Sequence, residues 1–219
     1  MKNLKSIIIS VGLITILAGC GSPRDASKDN FKNVINEYLD KNCILISPRY
    51  NKFPVTVELL PTDNKWAAKK NPEKTQKYDA LVSIGMLEVK DGSAQANKGM
   101  FSTEKITVPT KIYSLSEKGR EAFVKNTRRV FFGGTNQGFC VATYQVNEII
   151  SFSDPSQMMG YTVSNVNFSF SPKNIRKWAA NENITKAFPR LGERLEENQE
   201  KSAALVLMND GWIHENEMK

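Results

Sequence analysis

Two alternating runs late in the chain leave the fewest options for its fold. "FCVATYQVNEIISFS" (139–153) and "YTVSNVNFSFS" (161–171) flank the turn-forming "DPSQMMG". Apolar residues recurring at every second position suit half-buried strands, and so short a connection joins strands antiparallel. A long antiparallel pair is therefore expected. In the second run Tyr161 and Val163 share one phase, whereas Val166, Phe168 and Phe170 hold the other. A bulge near Ser164 and Asn165 would reconcile the two phases. Short helical pieces in "NIRKWAA" and "NITKAF" follow, and Pro189 is placed to begin a new helix in "PRLGERLEENQEK". The chain closes on "SAALVLMNDGWIHE", a strand turning at Asn209, Asp210 and Gly211. Strands, helices and a returning strand make residues 131–219 an α+β unit built on an antiparallel sheet.

The first half reads differently. Phe31, Val34, Ile35, Tyr38 and Leu39 form one apolar stripe, which predicts a helix over 31–41 capped by Asp29 or Asn30. "CILIS" (43–47) and "VTVELL" (55–60) predict short strands. "NKWAAKKNPEK" is expected as a basic loop or a helical turn broken around Pro72, before a helix in "TQKYDALVSIG" that stops at Gly85. "MLEVK" then extends, "DGSAQANKG" forms a hairpin tip, and "ITVPTKIYSLS" returns, with Ser116 capping a helix in "EKGREAFVKN". The order helix, "IGMLEV", loop, "KIYSLSEKGREAF" resembles the winged-helix superfamily across residues 78–123. That resemblance implies a winged-helix-like domain over 31–130, packed with the 131–219 unit in an overall α+β fold. Winged helices commonly read DNA, but the expected reading helix offers mainly Lys74 and Lys77 and no Arg.

The chain opens with Lys2 and Lys5, an apolar stretch over 7–18, and "LAGC" at 17–20. That is the order of an export signal. A dozen apolar residues make a helix about 18 Å long, short of the ~30 Å needed to span a bilayer core. The tetrapeptide resembles the lipobox of bacterial lipoproteins, which implies cleavage of residues 1–19 and acylation of Cys20, with palmitate among the expected acyl groups. Membrane attachment through those acyl chains follows, with the protein facing the periplasm. In such proteins Gly21, in place of an Asp, favours the outer membrane. The polar stretch that follows Cys20 reads as a tether over 20–30.

With Cys20 acylated, Cys43 and Cys140 remain, and in an oxidising compartment they are most simply a disulfide, with two buried free thiols as the alternative. Charge is unevenly spread. Residues 20–130 hold 20 Lys and Arg against 13 Asp and Glu, and residues 131–219 hold 8 against 10. A basic half outside the cytoplasm would meet lipid headgroups and envelope polymers more readily than nucleic acid.

Catalytic motifs are scarce. His214 is the one histidine and is expected at an exposed strand end, so neither a His-based triad nor a His metal site can be assembled elsewhere. The Gly-rich "RRVFFGGTNQGF" lacks the Lys of a phosphate loop and leads into a strand. No catalytic residue, cofactor or metal is assigned. Trp66, beside Lys69 and Lys70, is the best exposed anchor for a partner, and Arg128 and Arg129 could form a basic rim. Finally Phe139 with Cys140, Trp178 with Ala179, Phe188 with Pro189 and Gly211 with Trp212 resemble phrases of uncharacterised proteobacterial lipoproteins. The expected function is a non-enzymatic, lipid-anchored envelope module that binds a protein or polymer. The alternatives are a membrane-held nucleic-acid-binding regulator and a carboxylate-based envelope hydrolase.

Overall fold

A computed structural model describes residues 22–61, 63–98, 103–127 and 136–218. The N-terminal helix α1 (Lys28–Asp40) starts three residues before the expected point, because Ser27 rather than Asp29 caps it, its Oγ accepting the Asn30 N–H. Two short strands, β1 (Ile44–Ile46) and β2 (Val55–Glu58), precede α2 (Ala67–Ser83). The hairpin β3 (Leu87–Asn97) and β4 (Lys105–Leu115) leads to a short helix α3 (Glu117–Ala122) and then β5 (Phe123–Lys125). The second half runs β6 (Gln137–Phe152), β7 (Ser156–Met158), β8 (Tyr161–Lys173), α4 (Glu182–Ala187), α5 (Leu191–Arg194), β9 (Gln199–Met208) and β10 (Gly211–His214). The fold is mixed α+β, mostly strand and wholly antiparallel in the pairs formed among these residues.

Several elements depart from the sequence reading for local physical reasons. The helix expected after Pro72 begins five residues before it, at Ala67. Proline removes one helical hydrogen bond, and Asn71 compensates by gripping Leu60, accepting its N–H at 2.7 Å and donating to its C=O at 2.9 Å. The expected hairpin tip is mostly ladder: Asp91 through Asn97 pair with Lys111 through Lys105. The helix after Ser116 ends at Ala122, where Phe123 turns into β5 to pair with Phe139. The helix after Pro189 is a single turn. β8 needs no bulge, since its register with β9 is continuous from Thr162 to Phe170. The irregularities fall on β6, where Asn147 and Ile150 are extra residues opposite β8. β8 changes phase because both faces are covered there. Val163 lies opposite buried Val206, and the buried Ser164 hydroxyl donates to the Ser153 carbonyl at 2.7 Å.

The strands form two sheets. One has three strands in the order β2-β4-β3; the other has the path β1-β6-β8-β9-β10, with β5 on β6 and β7 on β8. Helix α1 contacts both β6 and β10, which are not neighbours along that path, so the sheet curls around it. Phe31 fixes the curl by meeting Phe152 and Trp212 edge-on, at 5.0 and 5.1 Å between ring centroids. Among the described residues the compact three-helix core usual in winged helices is not formed, because α1 packs on this larger sheet.

Two buried clusters result, and each draws on residues from both sides of position 130. One joins Val55, Tyr78, Leu81, Leu87 and Tyr113 to Phe139, Val141, Ile184 and Leu191. The other joins Phe31 and Ile35 to Val146, Val166, Phe168, Leu205 and Trp212. Tyr144 packs against both.

The phrase "YSLSEKGRE" now has a structural meaning. Ser116 Oγ donates to the Gly85 carbonyl at 2.6 Å and accepts the Gly119 N–H at 2.9 Å, so it caps α3 and holds the end of α2 at once. Gly119 lies so close that a Cβ there would overlap the Met86 carbonyl oxygen. Backbone cannot yield as a flexible side chain would. Gly119→Ala should therefore lower stability by about 3 kcal/mol or more, read as a reduced urea midpoint, whereas Gly192→Ala, where a Cβ meets nothing within 4 Å, should leave it nearly unchanged.

Candidate functional site

Extending α2 back to Ala67 has a consequence for its outer face. Trp66, Lys70, Lys74 and Lys77 fall at i, i+4, i+8 and i+11, a single stripe along the helix. Beside the stripe the helix buries Ala67, Thr75, Tyr78 and Leu81. Between the stripe and β2 lies an open groove of about 660 Å³, lined by Thr56, Val57 and Glu58 from β2, by Lys70, Glu73, Lys74, Lys77 and Tyr78 from α2, and by Arg49 and Tyr50 from the preceding loop. The loop is held by Tyr78, whose hydroxyl accepts the Tyr50 N–H at 3.1 Å and donates to the Tyr50 carbonyl at 3.0 Å. Burial raises the Tyr78 pKa further above its ordinary value, so the hydroxyl stays protonated for that second bond. The Tyr50 ring is thereby left 59% exposed, with the Arg49 guanidinium 5.3 Å from its centroid.

Four cations line this groove against two carboxylates. Lys70 is paired with Glu73 at 2.9 Å, and Lys74 donates to the Glu58 main-chain carbonyl at 2.8 Å. Lys77 sits over the Phe188 ring at 5.6 Å. Among the described residues neither Arg49, Lys74 nor Lys77 is salt-bridged to a carboxylate. The electrostatics therefore favour an anion; the exposed Tyr50 ring lines the groove, and the exposed Trp66 ring lies one turn before Lys70 on the same stripe.

The sequence-derived residues distribute as follows. Trp66, 55% exposed at the start of α2, lies in line with Lys70, and Lys65 lies 5.6 Å from its ring centroid. Lys69 is exposed beside the stripe and does not line the groove. Arg128, Arg129 and Cys20 lie outside the described residues. Arg49 and Tyr50 carry no sequence signal for the groove, while Lys74 and Lys77, the basic residues of the expected reading helix, fall in line with Trp66 and Lys70. The i, i+4 spacing of the lysines was the available signal, hidden by taking Pro72 as a break.

Cys43 and Cys140 form a disulfide, with Cα atoms 5.4 Å apart, bonding the start of β1 to β6. Among the described residues no group of three His, Cys, Asp or Glu side chains could hold a metal ion, and no helix is long and apolar enough to cross a membrane.

His214 differs from expectation. It is 5% exposed and stacked on Tyr38 with 3.8 Å between centroids, and its Nδ1 accepts the Asn216 N–H at 3.1 Å. Burial, reinforced by the Lys201 charge, pushes its pKa down to about 4, against a weaker opposing pull from Glu217.

No protein-family model matches the chain, and no solved structure does. Among curated proteins it is similar to an uncharacterised lipoprotein of Staphylococcus epidermidis, with 26% identity over 114 residues. The match covers 51% of this chain and 44% of the relative, so it spans less than half the relative's length. Being staphylococcal, the relative lends nothing to the proteobacterial side of the resemblance.

Because an unfolded His214 takes up its proton near pH 6.5 and the folded one near 4, the unfolded chain binds more protons in between. Stability should fall as pH drops through that window, by up to about 3 kcal/mol. Urea midpoints measured at pH 7 and pH 4.5 check this, and His214→Gln should show a smaller difference between the two than wild type.

Proposed function

We propose that this chain is a lipid-anchored envelope protein that holds an anionic envelope polymer along the groove between β2 and α2, without chemical turnover. The basic groove with the exposed Tyr50 ring in its lining is the observation that carries the reading. Acylation of Cys20 is supported by the "LAGC" sequence, by the lipoprotein relative and by the disulfide, which suits an oxidising compartment. Gly21 favours the outer membrane where the host has two, with the protein facing the periplasm. The strand order β2-β4-β3 around one hairpin supports the wing-like reading of residues 78–123, whereas α1 packs on the larger sheet. In this setting the lysines of α2 meet phosphate groups of an envelope polymer rather than of DNA.

Two measurements test the proposal. Radiolabelled palmitate should be incorporated by wild type and not by Cys20→Ser; equal labelling of both removes the anchor. For the groove, the probe is poly(glycerol phosphate), titrated into the protein at low and moderate salt. Binding should weaken with salt, and Lys70→Glu with Lys74→Glu and Lys77→Glu should reduce affinity by about tenfold or more. Unchanged affinity in that variant, or markedly tighter binding of duplex DNA at equal salt, overturns the polymer reading.

A further inference from the structure

Residues 22–25 are held by a dense set of hydrogen bonds. The Ser22 N–H donates to Asp25 Oδ2 at 2.8 Å, and the Asp25 N–H returns to the Ser22 carbonyl at 2.9 Å. Asn30 Nδ2 donates to the carbonyls of Ser22 and Asp25, at 2.8 and 2.9 Å. Arg24 Nη1 donates to the carbonyls of Met208 and Asn209, each at 2.7 Å, and the Trp212 indole N–H donates to the Arg24 carbonyl at 3.0 Å. Pro23 lies against Gly211, so close that a Cβ there would come within 3.0 Å of the Pro23 carbonyl. The chain from Ser22 onward is thus bound to the turn between β9 and β10. Of the expected 20–30 tether, only two peptide units separate Cys20 from this anchored point, a reach of at most about 7 Å.

The same end of the sheet carries an exposed apolar row. Gly211 pairs with Met208, Thr162 with Leu207, and Met158 with Tyr161. Met158, Tyr161 and Met208 therefore stand side by side on adjacent strands and share one face, since directly opposed residues project the same way. All three side chains are exposed, and Met159, at the hairpin tip with φ 50°, is 94% exposed. Three strand spacings separate Gly211 from Met158, about 14 Å. The chain's entry point and the row thus lie at one rim. At the turn that holds the chain, Arg24 lies with Asp25 and Asp210, so these residues give the rim no excess of positive charge to draw anionic headgroups.

We propose that this rim, presenting Met158, Met159, Tyr161 and Met208, is the face on which the protein rests in the bilayer interface, a reading that depends on Cys20 being the acylated residue. An acyl chain entering the bilayer within about 7 Å of Ser22 leaves the body no freedom to stand away from the surface. Methionine at the apolar boundary and tyrosine at headgroup level is the arrangement an interfacial contact calls for. The exposed groups of the row are Met and Tyr side chains, so the contact is apolar in origin and independent of lipid charge.

Thiol labelling can test this, because with Cys20 acylated and the other two cysteines bonded, an introduced cysteine is the one free thiol. Acylated Met159→Cys and Gln76→Cys, each carrying an environment-sensitive dye, are reconstituted into neutral phosphatidylcholine vesicles. Gln76 lies exposed on α2. Lipids brominated in their acyl chains should quench the dye at 159 by about twofold or more, while leaving the dye at 76 unaffected. Adding anionic lipid should change neither. Equal quenching at both sites, or none at 159 while the protein floats with the vesicles, overturns the proposed face and leaves the anchor standing. Failure to float removes the anchor and the proposal with it. A blue shift at 159 in Cys20→Ser protein without vesicles, growing with concentration, assigns the row to a second copy of the chain and overturns the bilayer contact.

Discussion

One strand serves two cores. The first six residues of β6, from Gln137 to Ala142, lie between β1 and β5 and send Phe139 and Val141 into the cluster beneath α2. From Thr143 onward β6 pairs with β8 and sends Val146 and Ile149 into the cluster around α1. Tyr144, at the junction, packs against both. Neither cluster can be completed unless β6 is in register with its neighbours on each side, because a slip of one residue would turn every buried side chain outward. The Cys43–Cys140 bond sits on the shared strand and closes 97 residues, a span containing all of β2, α2, β3 and β4. In the chain-entropy model a loop of that size stabilises by about 4.7 kcal/mol. Its effect here is directional as well, since it fixes the unit bearing the groove to the strand that everything else is built on.

That strand also sets the distance between the two surfaces proposed to act. The loop carrying Arg49 and Tyr50 is fixed at the start of β6, where Asn51 Nδ2 donates to the Gln137 carbonyl at 3.0 Å. The apolar rim lies past its end, beyond Phe152, along β7 and β8. Sixteen residues of strand at about 3.3 Å each amount to roughly 50 Å, less whatever bulging and curvature remove. A protein resting on its rim would therefore present the groove well clear of the headgroups, and the lysines of α2 would face polymer rather than lipid. The charge distribution agrees with that division. The basic excess lies in residues 20–130, which contain the groove, and the rim presents Met158, Met159, Tyr161 and Met208.

Much of the sheet was legible because long stretches of its strands alternate, and the turn at Asn209, Asp210 and Gly211 was visible from its composition. What escaped the sequence was set by partners distant along the chain. Nothing near Asp91 announces that β3 continues to Asn97; the long, regular β4 opposite it supplies the ladder. Pro72 reads as a helix breaker until Asn71 is seen to grip Leu60, eleven residues earlier. His214 reads as a frayed end until the curl of the sheet stacks it on Tyr38. The groove was only half legible for the same reason: Trp66 and Lys70 were visible as exposed residues, but their alignment with Lys74 and Lys77 required an unbroken α2.

The wing-like phrase and the groove are connected through α1. In a compact three-helix core, helices that precede the hairpin cover one another and leave a single one to face outward. Here α1 is committed to the curled sheet by Phe31 and Ile35, and the loop before β2 is occupied by its own closure on Tyr78. Helix α2 is then packed mainly by the small sheet and α4, which leaves the flank facing β2 uncovered. Four long cationic side chains suit such a flank, since their aliphatic stems can cover apolar surface while the charges remain in water. The groove thus follows from giving α1 to the second core, and the Ser116 and Gly119 contacts that close α3 onto Met86 hold α2 in place beneath it.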